Sequence, residues 1–128
     1  MGQNQNMEAV KKAWGHLGAG EMDELAKLYA DDMVFVLPGQ NDIIVGKSKF
    51  RSALNDIGQA LPPGFEVLNL AYFEGDSDVV NVVKWKSNSI PNATQSTILW
   101  KFDDHGKIIE ERWFVDTEQW RAAFREER

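Results

Sequence analysis

The stretch that decides the fold is residues 94–124, TQSTILWKFDDHGKIIEERWFVDTEQWRAAF. Two apolar-rich runs flank a turn at residues 104–106, and two period-two runs around a glycine-containing turn predict a β-hairpin. Asp116 is placed to cap the amphipathic segment that follows as a helix, with Gln119 three residues further on. A long hairpin of this kind must be covered on one face, so we expect the rest of the chain to supply that cover.

Composition narrows the class of protein. The chain has 128 residues, which suits a single domain over residues 1–128. Its net charge of −6 argues against nucleic acid and against an anionic membrane as partners, because both are bound by clustered Lys and Arg. It has no cysteine and two separated histidines, so we expect no metal and no cofactor. Without a long apolar run or a signal-peptide core, a cytoplasmic location is expected.

The apolar periods predict helices first and strands afterwards. Helical spacing predicts three helices, whose apolar stripes run over residues 7–17, 22–29 and 50–61. Between the last two, a short strand is expected at 33–37 and a polar loop at 40–45, and Asp31-Asp32 is interpreted as a turn. From residue 65 the period is two, and it predicts four strands at 65–74, 78–87, 94–102 and 108–115. Because sequential strands with short turns pair antiparallel, the predicted fold is α+β, a curved antiparallel β-sheet wrapped around the N-terminal helices.

Three segments of the sequence resemble a known superfamily. They are AGEMDELAKLYADDMVFVLPG at 19–39, GKSKFRSAL at 46–54 and GKIIEERWFVDTEQW at 106–120. With the order of elements, they resemble the nuclear-transport-factor-2-like proteins, which include ketosteroid isomerases, SnoaL-like polyketide cyclases and limonene epoxide hydrolases. The resemblance covers essentially the whole chain. It implies a cystatin-like cone with an internal pocket, and a homodimer formed through the outer face of the sheet.

Side-chain alternation predicts which residues face the pocket. Lys84 and Lys86 belong in water, so the opposite phase of that strand faces inward. On the last strand, the phase of Glu111 and Trp113 has fewer charges and the larger aromatic, so we place it inside, in agreement with the resembling families. The inferred lining is Trp14, Leu37, Leu54, Phe65, Asn69, Asn81, Val83, Trp85, Ile98, Trp100, Glu111 and Trp113.

The resemblance also implies where proton-transfer groups would lie. The tyrosine, the mobile base and the second acid of the ketosteroid isomerases fall on Trp14, Leu37 and Ile98. The histidine and aspartate of the cyclases fall on Ile98 and Trp113, and the epoxide hydrolases place an aspartate at Trp113 and an Arg-x-Asp pair on a strand that here has no Asp. None of these side chains can transfer a proton, so all three known mechanisms are contradicted by the residues.

Glu111 remains as the candidate catalytic group. A carboxyl among aromatic rings has a raised pKa, which suits a general acid or base near neutral pH. Alternatively, Glu111 is a surface glutamate or is paired with a neighbouring Arg or Lys. Asn69 and Asn81 are candidates for hydrogen-bonding a ligand carbonyl, or for satisfying backbone groups.

The outward-facing side chains of the sheet are predicted to include apolar residues interleaved with charged ones. Val80, Val82, Leu99 and Phe114 are interleaved there with lysine, arginine and glutamate, which suits a dimer interface. The prediction is a protein that binds a small apolar or aromatic molecule, as a SnoaL-like isomerase, cyclase or hydratase. A non-catalytic carrier and a dimeric interaction module are the alternatives left open.

Overall fold

The computed structural model describes residues 5–36, 43–60, 64–90 and 92–125. Its elements, in chain order, are α1 (Gln5–Ala19), α2 (Met22–Ala26), β1 (Tyr29–Val36), β2 (Ile43–Val45), α3 (Lys47–Ala60), β3 (Glu66–Glu74), β4 (Asp78–Lys86), β5 (Thr94–Phe102), β6 (Ile108–Phe114) and α4 (Thr117–Arg125). The strands form one six-stranded sheet in the order β2-β1-β6-β5-β4-β3. The predicted α+β class, with helices before a curved sheet, is confirmed.

The meander from β3 to β6 is antiparallel throughout, as predicted. In the β5–β6 hairpin, Trp100 lies opposite Glu111 and Ile98 lies opposite Trp113, so these four side chains share one face. The turn is held by Asp103, whose Oδ1 accepts the backbone N–H groups of residues 105 and 107, both at 2.9 Å. The hairpin therefore fixes which side chains of the last two strands meet inside the cone.

Asp116 caps α4 as predicted. Its Oδ1 accepts the backbone N–H groups of Glu118 at 3.0 Å and Gln119 at 3.2 Å. These are two of the donors that the first turn of a helix leaves without a partner inside the helix. The cap places Trp120 and Ala123 of α4 against Trp85 of β4 in a second, smaller apolar cluster.

The region around β1 differs from the sequence-based expectation. Tyr29 begins a strand rather than ending a helix, because α2 stops at Ala26. Asp31 and Asp32 lie within this strand, where a shift in register between Tyr29 and Val34 accommodates the two exposed aspartates. Residues 43–45, expected as loop, pair with β1 as β2, while residues 40–42 lie outside the described residues.

One pairing in the sheet is parallel. β1 runs parallel to β6, which makes the sheet mixed rather than wholly antiparallel. This pairing brings the first strand of the chain beside the last one, and Tyr29 belongs to the main core cluster. α1 and α3 cover the inner face of the sheet, and the core between them includes Val10, Met33, Phe50 and Ile98. Within the described ranges, none of the helices has the length and apolarity that a membrane span needs.

Candidate functional site

A small cavity lies between the helices and the inner face of β1, β5 and β6. Its volume is about 30 Å³. Its lining consists of Ala13, Trp14, Leu17, Leu25, Tyr29, Phe50, Leu54, Trp100, Glu111 and Trp113. A space of this size holds about one or two waters, whereas pockets for drug-sized ligands measure roughly 300–1,000 Å³. The cavity as it stands therefore accommodates only a small group.

Glu111 is the carboxylate of this cavity. It is 6% exposed, and both of its oxygens accept hydrogen bonds. The Tyr29 hydroxyl donates to Oε1 at 2.5 Å, and the Trp113 indole Nε1–H donates to Oε2 at 2.7 Å. Burial raises the pKa of Glu111 from its ordinary value of 4.5 to about 7, and the two hydrogen bonds act in the opposite direction. Desolvation outweighs them, so the carboxyl exchanges its proton near neutral pH.

Tyr29 is a hydrogen-bond partner of Glu111 that the sequence analysis did not predict. It is buried, and its pKa is raised well above 10.0 by desolvation, then by the charge of Glu111 and the hydrogen bond between them. Tyr29 therefore stays protonated and acts as a hydrogen-bond donor. Met33 and Phe35 alternate inward along β1, but the exposed Asp31 interrupts that phase, so no period-two signal extends the strand back to Tyr29.

Three indoles form one wall of the cavity. Trp14 makes edge-on contacts with Trp100, with ring centroids 6.4 Å apart, and with Trp113, at 6.3 Å. The Trp14 Nε1–H donates to Asn81 Oδ1 at 2.8 Å. The Nε1–H of Trp100 is buried and has no hydrogen-bond partner among the described residues. The wall is thus formed by the apolar surfaces of three indole rings.

Comparison with solved structures identifies the fold. Bal32a, from a soil-derived mobile gene cassette, superposes with a TM-score of 0.81 at 18% identity, over 94% of this chain and 97% of that chain. A protein from Jannaschia sp. CCS1 described as a candidate SnoaL-like polyketide cyclase gives 0.77 at 20%, over 94% and 92%. An LEH-like epoxide hydrolase of M. tuberculosis gives 0.74 at 18%, over 95% and 91%. The fold is nuclear-transport-factor-2-like.

Sequence comparison adds nothing to this. No family model matches the chain, and no curated protein matches it. At the low identities of the structural matches, the likeness establishes the nuclear-transport-factor-2-like fold alone, and this fold carries many unrelated chemistries. The chemistry of this chain must therefore be argued from its own residues.

Five of the predicted lining residues meet at the cavity of this nuclear-transport-factor-2-like cone. They are Trp14, Leu54, Trp100, Glu111 and Trp113. Leu37 lies outside the described residues. Phe65, Asn69, Asn81, Val83, Trp85 and Ile98 do not line this cavity. Those six side chains lie elsewhere in the fold, so the proposed role of these residues in one continuous lining stays a prediction.

The two polar residues among those six are Asn81 and Asn69, and they differ in their hydrogen bonding. Asn81 is fully buried, where its Oδ1 accepts from Trp14 and its Nδ2 donates to the Ala71 carbonyl at 3.3 Å. It satisfies neighbouring groups, which is the alternative that the sequence left open. Asn69 is half-buried on β3, and its Oδ1 has no hydrogen-bond partner among the described residues.

The apolar residues among the six fill the core. Val83 and Ile98 belong to the main core cluster and are fully buried. Trp85 donates its Nε1–H to Ser96 Oγ at 3.0 Å, and Phe65 packs against it with ring centroids 5.7 Å apart. Both belong with Trp120 to the second cluster, which fills a different part of the cone. These side chains support the cavity wall rather than face the cavity.

Among the residues that the structure describes, charged side chains outside this cavity do not form a competing site. A surface depression of about 410 Å³ is bordered by Lys47 and Arg51, but these cations pair with Asp31 at 3.5 Å and Asp23 at 3.4 Å. Within the described ranges, no group of three or more His, Cys, Asp or Glu side chains is arranged to hold a metal ion. Glu111 and its partners are therefore the candidate site.

Proposed function

We propose that this protein binds a small apolar or aromatic molecule in the cone and moves a proton on it through Glu111, as an isomerase, cyclase or hydratase of the SnoaL-like kind. The observation that carries the proposal is a buried carboxyl, held by Tyr29 and Trp113, beside a cavity walled with indole rings. Glu111, Tyr29 and Trp113 reach this cavity from β1 and β6, strands fixed by the parallel pairing.

The properties of Glu111 fit general acid–base catalysis. With a pKa of about 7, both of its protonation states are populated at neutral pH. The carboxylate takes a proton from the substrate, leaving the electron pair on the substrate, and the resulting acid returns the proton at another atom. Tyr29 and Trp113 hold the carboxyl oxygens in place during both steps, and the apolar wall excludes water that would compete for the proton.

The volume of the cavity limits how a substrate is held. Only the reacting end of a molecule fits beside Glu111. Leu17 of α1 lines the cavity and is 39% exposed, so the cavity reaches the surface next to this residue. In the proposal, the reacting group enters the cavity while the apolar body of the substrate lies at the mouth, against Leu17 and Leu54.

Deuterium exchange at an α-carbon tests the proposal. Cyclopentanone and acetone are small ketones whose α-protons need a base for removal, and ¹H NMR in D₂O follows their loss. We expect exchange that depends on the wild-type protein, and a rate lower by about 10²–10⁴ in Glu111→Gln, because the amide cannot accept the proton. Tyr29→Phe retains the carboxylate and is expected to keep part of the rate.

Glu110→Gln is the matched control. Glu110 precedes Glu111 on β6 but pairs with Arg112 at 2.8 Å, away from the cavity. The same chemical change at Glu110 should leave exchange at the wild-type rate. Equal exchange rates in wild type and Glu111→Gln would remove Glu111 from the mechanism.

A non-catalytic carrier is the second candidate. It is favoured because Trp14 and Ile98 stand where the resembling families have proton-transfer groups. Among the described residues that line the cavity, Glu111 is the carboxyl that remains. Binding of cyclopentanone without any protein-dependent exchange would support this alternative. An interaction module, the third class, is favoured by the small volume of the cavity, and failure of both ketones to bind would support it.

The proposal includes a homodimer formed through the outer face of the sheet. Leu68, Phe73 and Phe114 are 61%, 62% and 40% exposed, and strand pairing places Phe73 beside Val80 and Phe114 beside Thr97 on that face. Exposed apolar area of this kind is typical of an interface. Sedimentation velocity at micromolar concentration should give the mass of a dimer, and a monomer would contradict this part. A cytoplasmic location is also proposed, and cell fractionation would check it.

A further inference from the structure

The C-terminal turn of α1, residues 15–20, borders the cavity without belonging to the core. The part of the helix before it is held by Val10 and Ala13, which are fully or almost fully buried. None of residues 15–20 is buried or belongs to the main core cluster, and Leu17, which lines the cavity, is exposed. Because most of the stability of a helix in a protein comes from packing of its apolar face, this turn is held less firmly than the rest of α1.

Two glycines weaken the same turn. Gly15 and Gly18 lie within α1, and a Cβ atom added to either would meet no atom within 4 Å outside its own stretch of helix. Packing therefore does not require glycine at these positions. Glycine destabilises a helix relative to alanine, because its backbone loses more conformational freedom when the helix forms. The sequence thus lowers the stability of the turn that borders the cavity.

The segments on either side of the turn are fixed to the core. On the N-terminal side, the Nε1–H of Trp14 donates to Asn81 Oδ1 at 2.8 Å, and its ring packs against two other indoles of the cavity wall. On the C-terminal side, α2 is held by Leu25, which is buried in the main core cluster. The turn can therefore move while the helix before it and the helix after it stay in place.

Short-range hydrogen bonds hold the turn in its closed position. The backbone N–H of Gly20 donates to the Leu17 carbonyl at 3.2 Å, and that of Glu21 donates to the His16 carbonyl at 2.9 Å. Gly20 has a φ of +75°, as is usual where a glycine ends a helix. The His16 side chain also contacts the Glu21 carboxylate at 2.8 Å, in an exposed pair of a kind that contributes little to stability in water. All of these bonds are local, so they can break while the core stays packed.

We propose that residues 15–20 form a gate, which opens in solution and widens the cavity to admit an apolar molecule larger than its closed volume of about 30 Å³. The inference rests on the proposed function in one respect, that this cavity is where the ligand binds. The ligand binds the open form, so its apparent affinity is reduced by the fraction of molecules in which the gate is open. Opening leaves Glu111 and its two hydrogen-bond partners in place, because they lie on β1 and β6.

Gly15→Ala combined with Gly18→Ala tests the gate, with 2-tetralone as the probe, an uncharged bicyclic ketone too large for the closed cavity. Both added methyl groups enter open space, so the double variant should fold as wild type does. We expect amide hydrogen exchange at residues 18–21 to slow by about tenfold, because alanine favours the helical turn. Stopped-flow tryptophan fluorescence should show association of 2-tetralone slowed by about the same factor, an unchanged dissociation rate and a Kd about tenfold weaker.

Ser52→Ala is the matched control. It makes a helix-favouring change at an exposed position of α3, which also borders the cavity, and it should leave association of 2-tetralone at the wild-type rate. Three outcomes would overturn the inference: association at the wild-type rate in the double variant, amide exchange at residues 18–21 that the two alanines do not slow, or failure of wild type to bind 2-tetralone.

These readouts need no turnover, so they separate the gate from catalysis. Association of 2-tetralone that slows in the double variant, with α-exchange equally fast in wild type and Glu111→Gln, would keep the gate and remove the catalytic proposal. Exchange of acetone that depends on Glu111, with association of 2-tetralone unchanged in the double variant, would remove the gate and keep the role of Glu111.

Discussion

At the scale of single residues, the site depends on which buried polar groups are satisfied by the protein. Glu111 on β6 and Asn81 on β4 are both buried, on the two strands that flank β5. The amide of Asn81 is hydrogen-bonded to Trp14 and to the Ala71 carbonyl, whereas Glu111 lines the cavity. The sequence predicted the inward phase of both, because counting lysines and aromatics separates the two faces of a strand. It could not predict which one was occupied, since that depends on a partner 67 positions away.

Replacement of Asn81 tests its assignment as a structural residue. Asn81→Leu keeps the approximate size but leaves the Trp14 Nε1–H and the Ala71 carbonyl without partners. We expect a loss of about 1–3 kcal/mol in the free energy of unfolding, measured by urea denaturation. Gln95→Leu, at an exposed position on β5, serves as the control and should change stability by less than about 0.5 kcal/mol. An Asn81→Leu protein as stable as wild type, with altered ketone affinity, would instead assign Asn81 to ligand binding.

At the scale of helices and strands, local signals were sufficient except at the end of α2, at β1 and at β2. The four meander strands and α1, α3 and α4 follow from apolar period, turn residues and caps, which are encoded within each segment. β1 was predicted too short, because Asp31 and Asp32 are polar residues within a strand and are accommodated by a shift in register. The parallel β1–β6 pairing joins distant segments, and no local pattern encodes such a pairing.

The cap of α4 gives a prediction at this scale. Asp116→Ala removes the acceptor for two backbone N–H groups at the start of the helix, so we expect the protein to lose about 1 kcal/mol of stability. Asp116→Asn preserves an acceptor oxygen and should restore most of the loss. Thermal or urea unfolding of the two variants makes the comparison. Equal destabilisation by Ala and Asn would indicate that charge, and not capping, is what Asp116 provides.

At the scale of the whole molecule, the cone-shaped fold was predictable from the sequence, but the volume of the cavity inside it was not. The order of elements and the inward aromatics indicated a pocket, and the structure places Glu111 and Trp113 beside a cavity. The volume of that cavity depends on how closely α1 and α3 pack against the sheet. It also depends on how much of the interior is taken up by Phe65, Trp85 and Trp120 of the second cluster. Packing of this kind is decided by the shapes of contacting side chains, which sequence periods do not contain.

Enclosure of Glu111 raises its pKa toward neutrality, and this links the site to the stability of the fold. The pKa of Glu111 is about 7 in the folded protein and near its ordinary value of 4.5 when the chain unfolds. Between these values the folded state binds more protons than the unfolded state, so stability falls as pH rises from about 4.5 to about 7 and then levels off. The loss assigned to Glu111 is about 3 kcal/mol.

The most direct measurement is the free energy of unfolding of wild type and Glu111→Gln as a function of pH, from about pH 4.5 to pH 8. Contributions from other titrating groups are common to both proteins, so the difference between the two curves reports Glu111. We expect wild type to lose about 3 kcal/mol relative to Glu111→Gln across this interval. Two curves that run parallel from about pH 4.5 to pH 8 would mean that Glu111 titrates like an exposed carboxyl, and would contradict its enclosure in the cone.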